Sequence, residues 1–392
     1  MELGEEDLEE IPEADIELSE EDLEEMPNGY REAELRMVES KEKETDLKYG
    51  LASEASIEHP NRNEDAYLYS AKLGLQFVAD GMGGVPAGDL ASQEAQRQLT
   101  KSGMADVAEG TRKVMQADRE TVQKAPDVEA AFADIINHMN DRVIEMQKSP
   151  AVMDRAKEFF KEKRGKEFDP DNADDVETLH SYVSQIGATV SMSKFWKAEG
   201  GKDMITVGNV GDSRTYRLRN GALESLSLDD SPVRILLEEG LIKDDQDMTQ
   251  LINKRDVVAL VDKHPELKGV AAKILRGPDQ VTLDSIRNNI SQAVGVSKMM
   301  EKLFGTKFKP FVKSYEVEDG DVYLTMSDGV IDNLTDDEIQ AIAILHSENP
   351  LEVARRLQQA ATERSIKGKK INARAKPDDA TVLVTSFKKN GK

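Results

Sequence analysis

Short runs of apolar and β-branched residues, separated by turn-forming residues, recur along most of the chain. Gly, Asn and Asp bound many of these runs, which is the pattern of strands joined by tight turns. The pair Asn220-Gly221 lies between two runs and predicts a hairpin turn. The pattern predicts strands over 49–57, 66–69, 74–79, 188–194, 204–210, 214–219, 222–226, 312–317, 322–326 and 381–386.

Apolar residues at helical spacing lie between the groups of strands. Over 128–146 they recur every three or four residues, which predicts a helix with one face in the core. Thr335 and Glu338 form a capping-box pattern that predicts the start of another helix. Further helices are predicted over 87–100, 351–363 and parts of 233–296. Strands, inserted helices and strands again predict an α+β fold with a largely antiparallel core.

The N-terminal segment has a different composition from the rest of the chain. Residues 1–30 carry fourteen Asp or Glu and no Lys or Arg, and the run at 5–12 recurs at 20–27 with one substitution. Such a like-charged tract predicts disorder. We therefore divide the chain into an acidic, disordered extension over 1–45 and a folded domain over 46–388. Within that domain, the charged stretch 148–175 predicts an inserted loop between two halves.

Two interpretations of the acidic repeat remain open. It is either a solubilising tail or, because Leu and Ile or Met recur within it, a docking motif that folds on a basic partner.

The basic loop at 367–376 leads into Asp378 and could attract this tail, or acidic and phosphorylated substrates, or simply be solvated. Attraction of the tail would make the segment autoinhibitory.

Composition excludes several classes of function. The 392-residue chain has no Cys, so disulfides, thiolate metal sites and cysteine nucleophiles are excluded. Its formal charge of -24 opposes binding to nucleic acid or to an anionic membrane surface. The five His residues are scattered and form no HExxH motif. No signal-like start or membrane-length apolar run is present, so we expect a soluble, cytoplasmic protein.

Acidic residues recur where a predicted strand ends and a tight turn begins. They occur in NED at 63–65, DGMGG at 80–84, GDS at 211–213, SDG at 327–329 and PDD at 377–379. Each instance alone is weak, because Asp-Gly is a common turn dipeptide. Several carboxylates that converge without a basic partner repel one another unless divalent cations lie between them. The set therefore predicts a site for Mg²⁺ or Mn²⁺.

The motifs also resemble, in order and approximate spacing, those of the metal-dependent protein phosphatases (PPM, type 2C), in the bacterial variant with DGMGG. The resemblance covers roughly 48–387 and includes ADGMGG at 79–84, VGNVGDSR at 207–214, SDGVID at 327–332 and DDATV at 378–382. It implies two packed, mainly antiparallel sheets flanked by antiparallel helices. It also implies a helical flap beside the site, enlarged here over about 231–300. The extra flap residues either pad the fold or select the substrate.

The resemblance implies a pair of Mg²⁺ or Mn²⁺ ions held directly by this chain. Asp80 resembles the carboxylate that bridges the two ions, and Gly81 the residue whose backbone carbonyl binds one of them. Asp328 and Asp378 resemble the other direct ligands. Together these carboxylates would act in catalysis through a water activated at the metals.

Other acidic residues resemble the outer parts of the same site. Glu64 and Asp65 resemble residues that hold the metals through water. Asp212 resembles a ligand of a third, more weakly bound ion, and Asp332 is the second acid of the SDGVID element.

Two positions depart from the better-known family pattern. Pro60 stands where many members have a phosphate-binding Arg; Arg62 is either a phosphate contact by another route or a structural surface residue. Met82 stands where eukaryotic members have a His proposed as general acid, and Met cannot donate a proton. A water at the metal site would then protonate the leaving group. His59 is a candidate acid only because it is close in sequence.

The sequence thus predicts a Mg²⁺/Mn²⁺-dependent hydrolase of phosphoserine and phosphothreonine on proteins, acting at a two-metal site. Two alternatives remain. One is a catalytically inactive scaffold of the same fold, which would be expected to have lost some of the metal carboxylates. The other is a phosphatase of a small phosphorylated metabolite, which would differ in the depth of its pocket.

Overall fold

The computed structural model describes residues 36–39, 46–305, 307–368 and 372–389. The acidic repeat at 5–27 lies outside the described residues, as do positions 369–371 of the basic loop. The predictions of a disordered, acidic extension and of its partner therefore stay predictions. Within the predicted extension, residues 36–39 are described as a strand.

The described residues form thirteen strands, most of them within a few residues of the predicted runs. They are β1 (Arg36–Glu39), β2 (Leu47–Glu54), β3 (Asp65–Ser70), β4 (Leu75–Asp80), β5 (Val190–Lys197), β6 (Asp203–Val210), β7 (Arg214–Arg219), β8 (Ala222–Ser225), β9 (Leu251–Asn253), β10 (Gln280–Thr282), β11 (Phe311–Glu316), β12 (Val322–Met326) and β13 (Ala380–Phe387). The predicted hairpin turn joins β7 to β8, with positive φ at both Asn220 and Gly221.

The described residues also form twelve helices, which lie between and over these strands. They are α1 (Gly88–Arg97), α2 (Glu109–Met115), α3 (Ala125–Met146), α4 (Pro150–Arg164), α5 (Ala173–Ser184), α6 (Pro232–Glu238), α7 (Lys254–Leu260), α8 (Lys268–Leu275), α9 (Ser297–Phe304), α10 (Asp328–Ile331), α11 (Asp336–Leu345) and α12 (Pro350–Lys367). Short 3₁₀ turns lie at Gly103–Asp106, Pro265–Leu267 and Leu283–Ser285. None of the helices in the described part of the chain is long and apolar enough to cross a membrane.

Eleven of the described strands form two large sheets in which every neighbouring pair is antiparallel. One sheet has the order β1-β2-β13-β12-β7-β8 and the other β11-β6-β5-β4-β3. Apolar side chains from both sheets form one buried cluster, in which Phe195 of β5 and Tyr323 of β12 pack edge to face at 5.3 Å between ring centroids. The sheets therefore pack face to face as a sandwich.

Helices cover the outer face of each sheet. Helices α1, α2 and α3 pack on the five-stranded sheet, where Phe132 and Ile136 of α3 are fully buried. On the six-stranded sheet, α11 and α12 pack through residues such as Ile339 and Leu357. The prediction of two antiparallel sheets flanked by helices is confirmed.

The prediction of a loop over 148–175 is wrong, because most of this stretch is helical. Helix α4 begins after Ser149, whose side chain caps it, and ends at Gly165 in the left-handed conformation. Val152, Ala156 and Phe160 are buried at four-residue spacing; Ala156 and Phe160 pack against α5, and Val152 joins the core of the five-stranded sheet. The density of charged residues concealed this narrow apolar stripe, which is enough to hold a surface helix.

The segment predicted as a flap forms a small unit with its own core. Over 231–300, the strands β9 and β10 pair with each other, apart from the two large sheets. Leu236, Val257 and Ile274 belong to an apolar cluster formed within this segment. Its role as a flap stays a prediction.

Candidate metal centre

Four predicted ligands lie at one edge of the sandwich because of the strand order. Asp65 begins β3 and Asp80 ends β4, and the two residues lie directly opposite each other in the antiparallel pair. Asp328 follows β12, and Asp378 precedes its neighbour β13. The ends of two strands from each sheet thus bring these carboxylates together.

Two glycines allow the backbone to approach closely at this edge. A Cβ on Gly81 would lie 2.3 Å from the carbonyl oxygen of Gly88. A Cβ on Gly329 would lie 1.9 Å from the carbonyl oxygen of Asp379. A side chain at either position would therefore push apart the segments that carry the acidic residues.

The carboxylates repel one another in the protein alone. Burial, together with the charge of Asp328, raises the pKa of Asp80 well above its ordinary value. Burial and the charge of Asp379 likewise raise the pKa of Asp65 well above its ordinary value. For Asp328, burial raises the pKa to about 6, although Lys376 opposes the rise. A cation placed among these carboxylates would lower their pKa values again, since opposite charge favours the ionised form of a carboxylate.

The oxygens that remain without a partner fit a divalent cation. Asp65 Oδ2 accepts a hydrogen bond of 2.8 Å from Ser327 Oγ, while Asp65 Oδ1 is buried and has no hydrogen-bond partner. Asp328 Oδ1 is buried and unpartnered in the same way. Buried carboxylate oxygens are costly to leave unpaired. Hard oxygen donors are also the ligands that Mg²⁺ and Mn²⁺ prefer.

Asp212 lies beside this group, on the turn between β6 and β7. Burial raises its pKa well above the ordinary value, and the charges of Asp328 and Asp332 contribute. The structure thus brings Asp212 near two acids of the SDGVID element. Its assignment to a third metal stays a prediction.

A second acidic cluster adjoins the first. Ligand atoms of His59, Glu64 and Asp379 lie within 4.8 Å of one another and could hold a metal ion. Burial raises the pKa of Glu64 to about 7. Asp379 accepts hydrogen bonds of 2.6 Å from the backbone N–H groups of Ser56 and Glu64. These bonds tie the start of β13 to the loop before β3.

Arg62 and His59, the candidates considered for phosphate contact and for proton donation, lie at this cluster. Arg62 Nη2 is 2.8 Å from Glu64 Oε1, so its guanidinium is held beside the predicted outer ligand. His59 Nδ1 lies 2.7 Å from the carbonyl oxygen of Arg62, to which it donates, and 3.6 Å from Asp379 Oδ1. Burial lowers the pKa of His59, but the charge of Asp379, the hydrogen bond to the carbonyl of Arg62 and the charge of Glu64 together raise it above its ordinary value.

Sequence reasoning missed two residues of the site. Asp379 was noted only as part of an acidic turn, and the signal was its adjacency to Asp378. The sequence assigns Lys376 to a basic loop that leads into Asp378, whereas its ammonium lies inside the cluster. It forms ion pairs with Asp328, with Asp332 at 3.0 Å and with Asp378 at 2.9 Å. Although burial lowers the pKa of Lys376, the three carboxylates raise it well above its ordinary value.

Solved structures of bacterial phosphatases share this fold. The serine/threonine phosphatase Stp1 from Staphylococcus aureus matches with a TM-score of 0.52 and 18% identity, over 90% of this chain and 100% of that chain. The S. agalactiae serine/threonine phosphatase matches with a TM-score of 0.52 and 17% identity, over 86% and 98% of the two chains. A bacterial serine phosphatase matches with a TM-score of 0.51 and 17% identity, over 88% and 99%.

No protein-family model and no curated protein sequence matches the chain. The likeness to solved structures therefore shows the fold. This chain has the fold of the bacterial serine/threonine phosphatases, and the fold expected from the resemblance to the metal-dependent family is confirmed.

Proposed function

We propose that this protein is a Mg²⁺- or Mn²⁺-dependent phosphatase of the PPM family that acts on phosphoserine and phosphothreonine in proteins. The observation that carries the proposal is the convergence of Asp65, Asp80, Asp328 and Asp378 at one edge of the sandwich. Two of their buried oxygens have no hydrogen-bond partner. An inactive scaffold would gain nothing from so costly an arrangement of charge.

The proposed ligands divide into direct, water-mediated and weakly binding sets. Asp80, the backbone carbonyl of Gly81, Asp328 and Asp378 would hold two cations directly. Glu64 and Asp65 would hold them through water, and Asp212 would bind a third ion. When bound, divalent cations supply an activated water and neutralise charge on the phosphate.

Residues of this chain orient the ligands. Ser327 Oγ donates to Asp65 Oδ2 and accepts from Thr381 N at 3.0 Å, so it fixes Asp65 against β13. Thr189 Oγ1 accepts from Asp80 N at 3.1 Å and thereby holds the end of β4. Bonds of this kind keep ligand side chains in one geometry, which a metal centre needs.

The substrate would be bound at the exposed side of the cluster. Asp80, Asp212 and Asp378 are partly exposed, so a phosphate group on a protein could approach them. Arg62 is the proposed phosphate contact, because a guanidinium can pair with a phosphate through two parallel hydrogen bonds. Its contact with Glu64 keeps it at the edge of the site.

The test is hydrolysis of a phosphothreonine peptide by the full chain with Mn²⁺, with Mg²⁺ and with EDTA. We expect turnover with metal, none with EDTA, and loss of turnover in Asp80→Asn. The matched control is Asp154→Asn on α4, whose exposed carboxylate is remote in sequence from every motif of the site; it should behave as the wild type.

The alternatives give different results in the same assay. An inactive scaffold would show no turnover with either metal while remaining folded by circular dichroism. A phosphatase of small metabolites would hydrolyse a small phosphate ester with metal but leave the peptide intact. Equal activity of Asp80→Asn and wild type would refute the proposed site.

A further inference from the structure

Lys376 is held within the acidic cluster by its side chain and its backbone. Its ammonium donates hydrogen bonds to Asp328 and Asp332 and forms an ion pair with Asp378 at 2.9 Å. Only 14% of the side chain is exposed. Its charge is therefore compensated by three carboxylates and largely withdrawn from solvent.

The backbone of Lys376 is fixed to α10 by the buried side chain of Asn333. Lys376 N donates to Asn333 Oδ1 at 3.0 Å, and Asn333 Nδ2 donates to the carbonyl of Lys376 at 2.8 Å. The same amide nitrogen donates to the carbonyl of Gly329 at 2.7 Å. The helix that begins at Asp328 thus determines where Lys376 lies.

The ammonium occupies oxygens that a metal would need. Asp378 Oδ1 accepts from Asp379 N at 3.0 Å, and Asp378 Oδ2 is 2.9 Å from Lys376 Nζ, so both of its oxygens are engaged. Asp328 uses Oδ2 for Lys376 and keeps Oδ1 without a partner. A divalent cation that bound Asp378 directly would have to displace the ammonium, because the two positive charges repel at such a distance.

We propose that Lys376 is an internal cation of this site, which stabilises the metal-free protein and competes with divalent cations for Asp378. The inference rests on the proposed metal centre. Lys376 then controls the metal affinity of the site. Its ammonium leaves Asp378 when a divalent cation binds and returns when the cation is lost. The protein then tolerates a low metal concentration without leaving its carboxylates uncompensated.

The inference predicts opposite effects of removing the ammonium on the metal-free and metal-bound forms. Lys376→Met keeps most of the length of the side chain and removes its charge. We expect the variant to bind Mn²⁺ about tenfold more tightly than wild type, because a competing cation is gone. We also expect a lower melting temperature without metal and a larger rise when Mn²⁺ is added.

The experiment is isothermal titration calorimetry with Mn²⁺ on the full chain, combined with thermal melting in EDTA and in Mn²⁺. Lys376→Gln, which is neutral but polar, should show the same changes as Lys376→Met. The matched control is Lys388→Met, because Lys388 forms an exposed ion pair with Glu348; it should keep the affinity of the wild type.

Each outcome bears on the inference. Tighter Mn²⁺ binding by the two neutral variants, or folding that only Mn²⁺ restores, supports it. Unchanged or weaker binding by these variants overturns it, as does a loss of fold that Mn²⁺ does not restore. If neither wild type nor any variant binds Mn²⁺, the proposed metal centre fails and the inference fails with it. Binding by wild type that the substitutions do not alter overturns the inference alone.

Discussion

Gly329→Ala should separate the two sides of the candidate metal centre. The added Cβ would lie 1.9 Å from the carbonyl oxygen of Asp379 and 3.2 Å from Cβ of Asp378. Contacts below 3.0 Å are essentially never seen for a real Cβ, so these segments must move apart by roughly 1 Å. The obstacle is backbone, which cannot rotate away as a side chain could. We therefore expect a loss of about 3 kcal/mol in the free energy of unfolding, the upper end of ordinary overpacking.

The same displacement should impair metal binding and activity. Gly329 follows Asp328, and its new methyl group would press on the residues that carry Asp378, so two proposed direct ligands would move apart. A misplacement of about 1 Å at a reacting centre costs on the order of 100-fold in rate. Urea unfolding in EDTA measures the stability, calorimetry the Mn²⁺ affinity, and peptide hydrolysis the rate.

Gly110→Ala is the matched control for this substitution. Gly110 lies in α2, and a Cβ there would meet nothing within 4 Å. Alanine favours a helix by up to about 1 kcal/mol over glycine, so this variant should be slightly more stable and fully active. The reasoning is refuted if Gly329→Ala unfolds at the urea concentration of the wild type and binds Mn²⁺ equally well.

Three further substitutions test the packing, capping and electrostatics of the fold. Burial raises the pKa of Asp230 to about 7, above its ordinary value, so its contribution to stability is complete at low pH and is lost as the pH rises through about 7. Asp230→Asn should therefore reduce the fall in unfolding free energy between pH 5.5 and pH 8, measured with urea; an unchanged slope would contradict this. Phe132→Ala should cost about 3–5 kcal/mol, because the ring is fully buried between α3 and the five-stranded sheet; a loss below 1 kcal/mol by urea unfolding would count against that packing. Thr335→Ala should cost about 1 kcal/mol, because Thr335 Oγ1 accepts from Glu338 N at 3.3 Å in the capping box; the same melting temperature as the wild type would show that the cap contributes nothing.

The strands could be predicted because local sequence fixes them. Alternation of apolar residues and Gly- or Asn-containing turns are local signals, and β12 was predicted over the five residues that form it, Val322–Met326. The helix α3 can be predicted for the same reason, since buried positions repeat at helical spacing from Val128 to Ile144. The order of strands and inserted helices along the chain also indicates an α+β fold with a largely antiparallel core.

Helix α4 could not be predicted in the same way, because its signal is weak at every position. Its buried face consists of Val152, Ala156 and Phe160 among many charged residues, and these positions are buried only once α5 and the five-stranded sheet's core lie against them. The small sheet of β9 and β10 is a similar case, with three residues in each strand. Tertiary packing, which a single sequence does not display, decides such elements.

Some residues of the candidate site can be found from the sequence alone, and others can be found only in the folded structure. The aspartates were found because each ends or begins a strand beside a turn, and a turn is visible in sequence. The sequence shows Lys376 only as part of a basic loop that leads into Asp378, yet its partner Asp328 lies 48 residues away in sequence. Asn333, whose side chain holds the backbone of Lys376, gives no signal of this role in the sequence. The residue proposed here to control metal affinity is therefore the one whose position depends most on the folded chain, since it becomes part of the site only when α10 and the start of β13 meet.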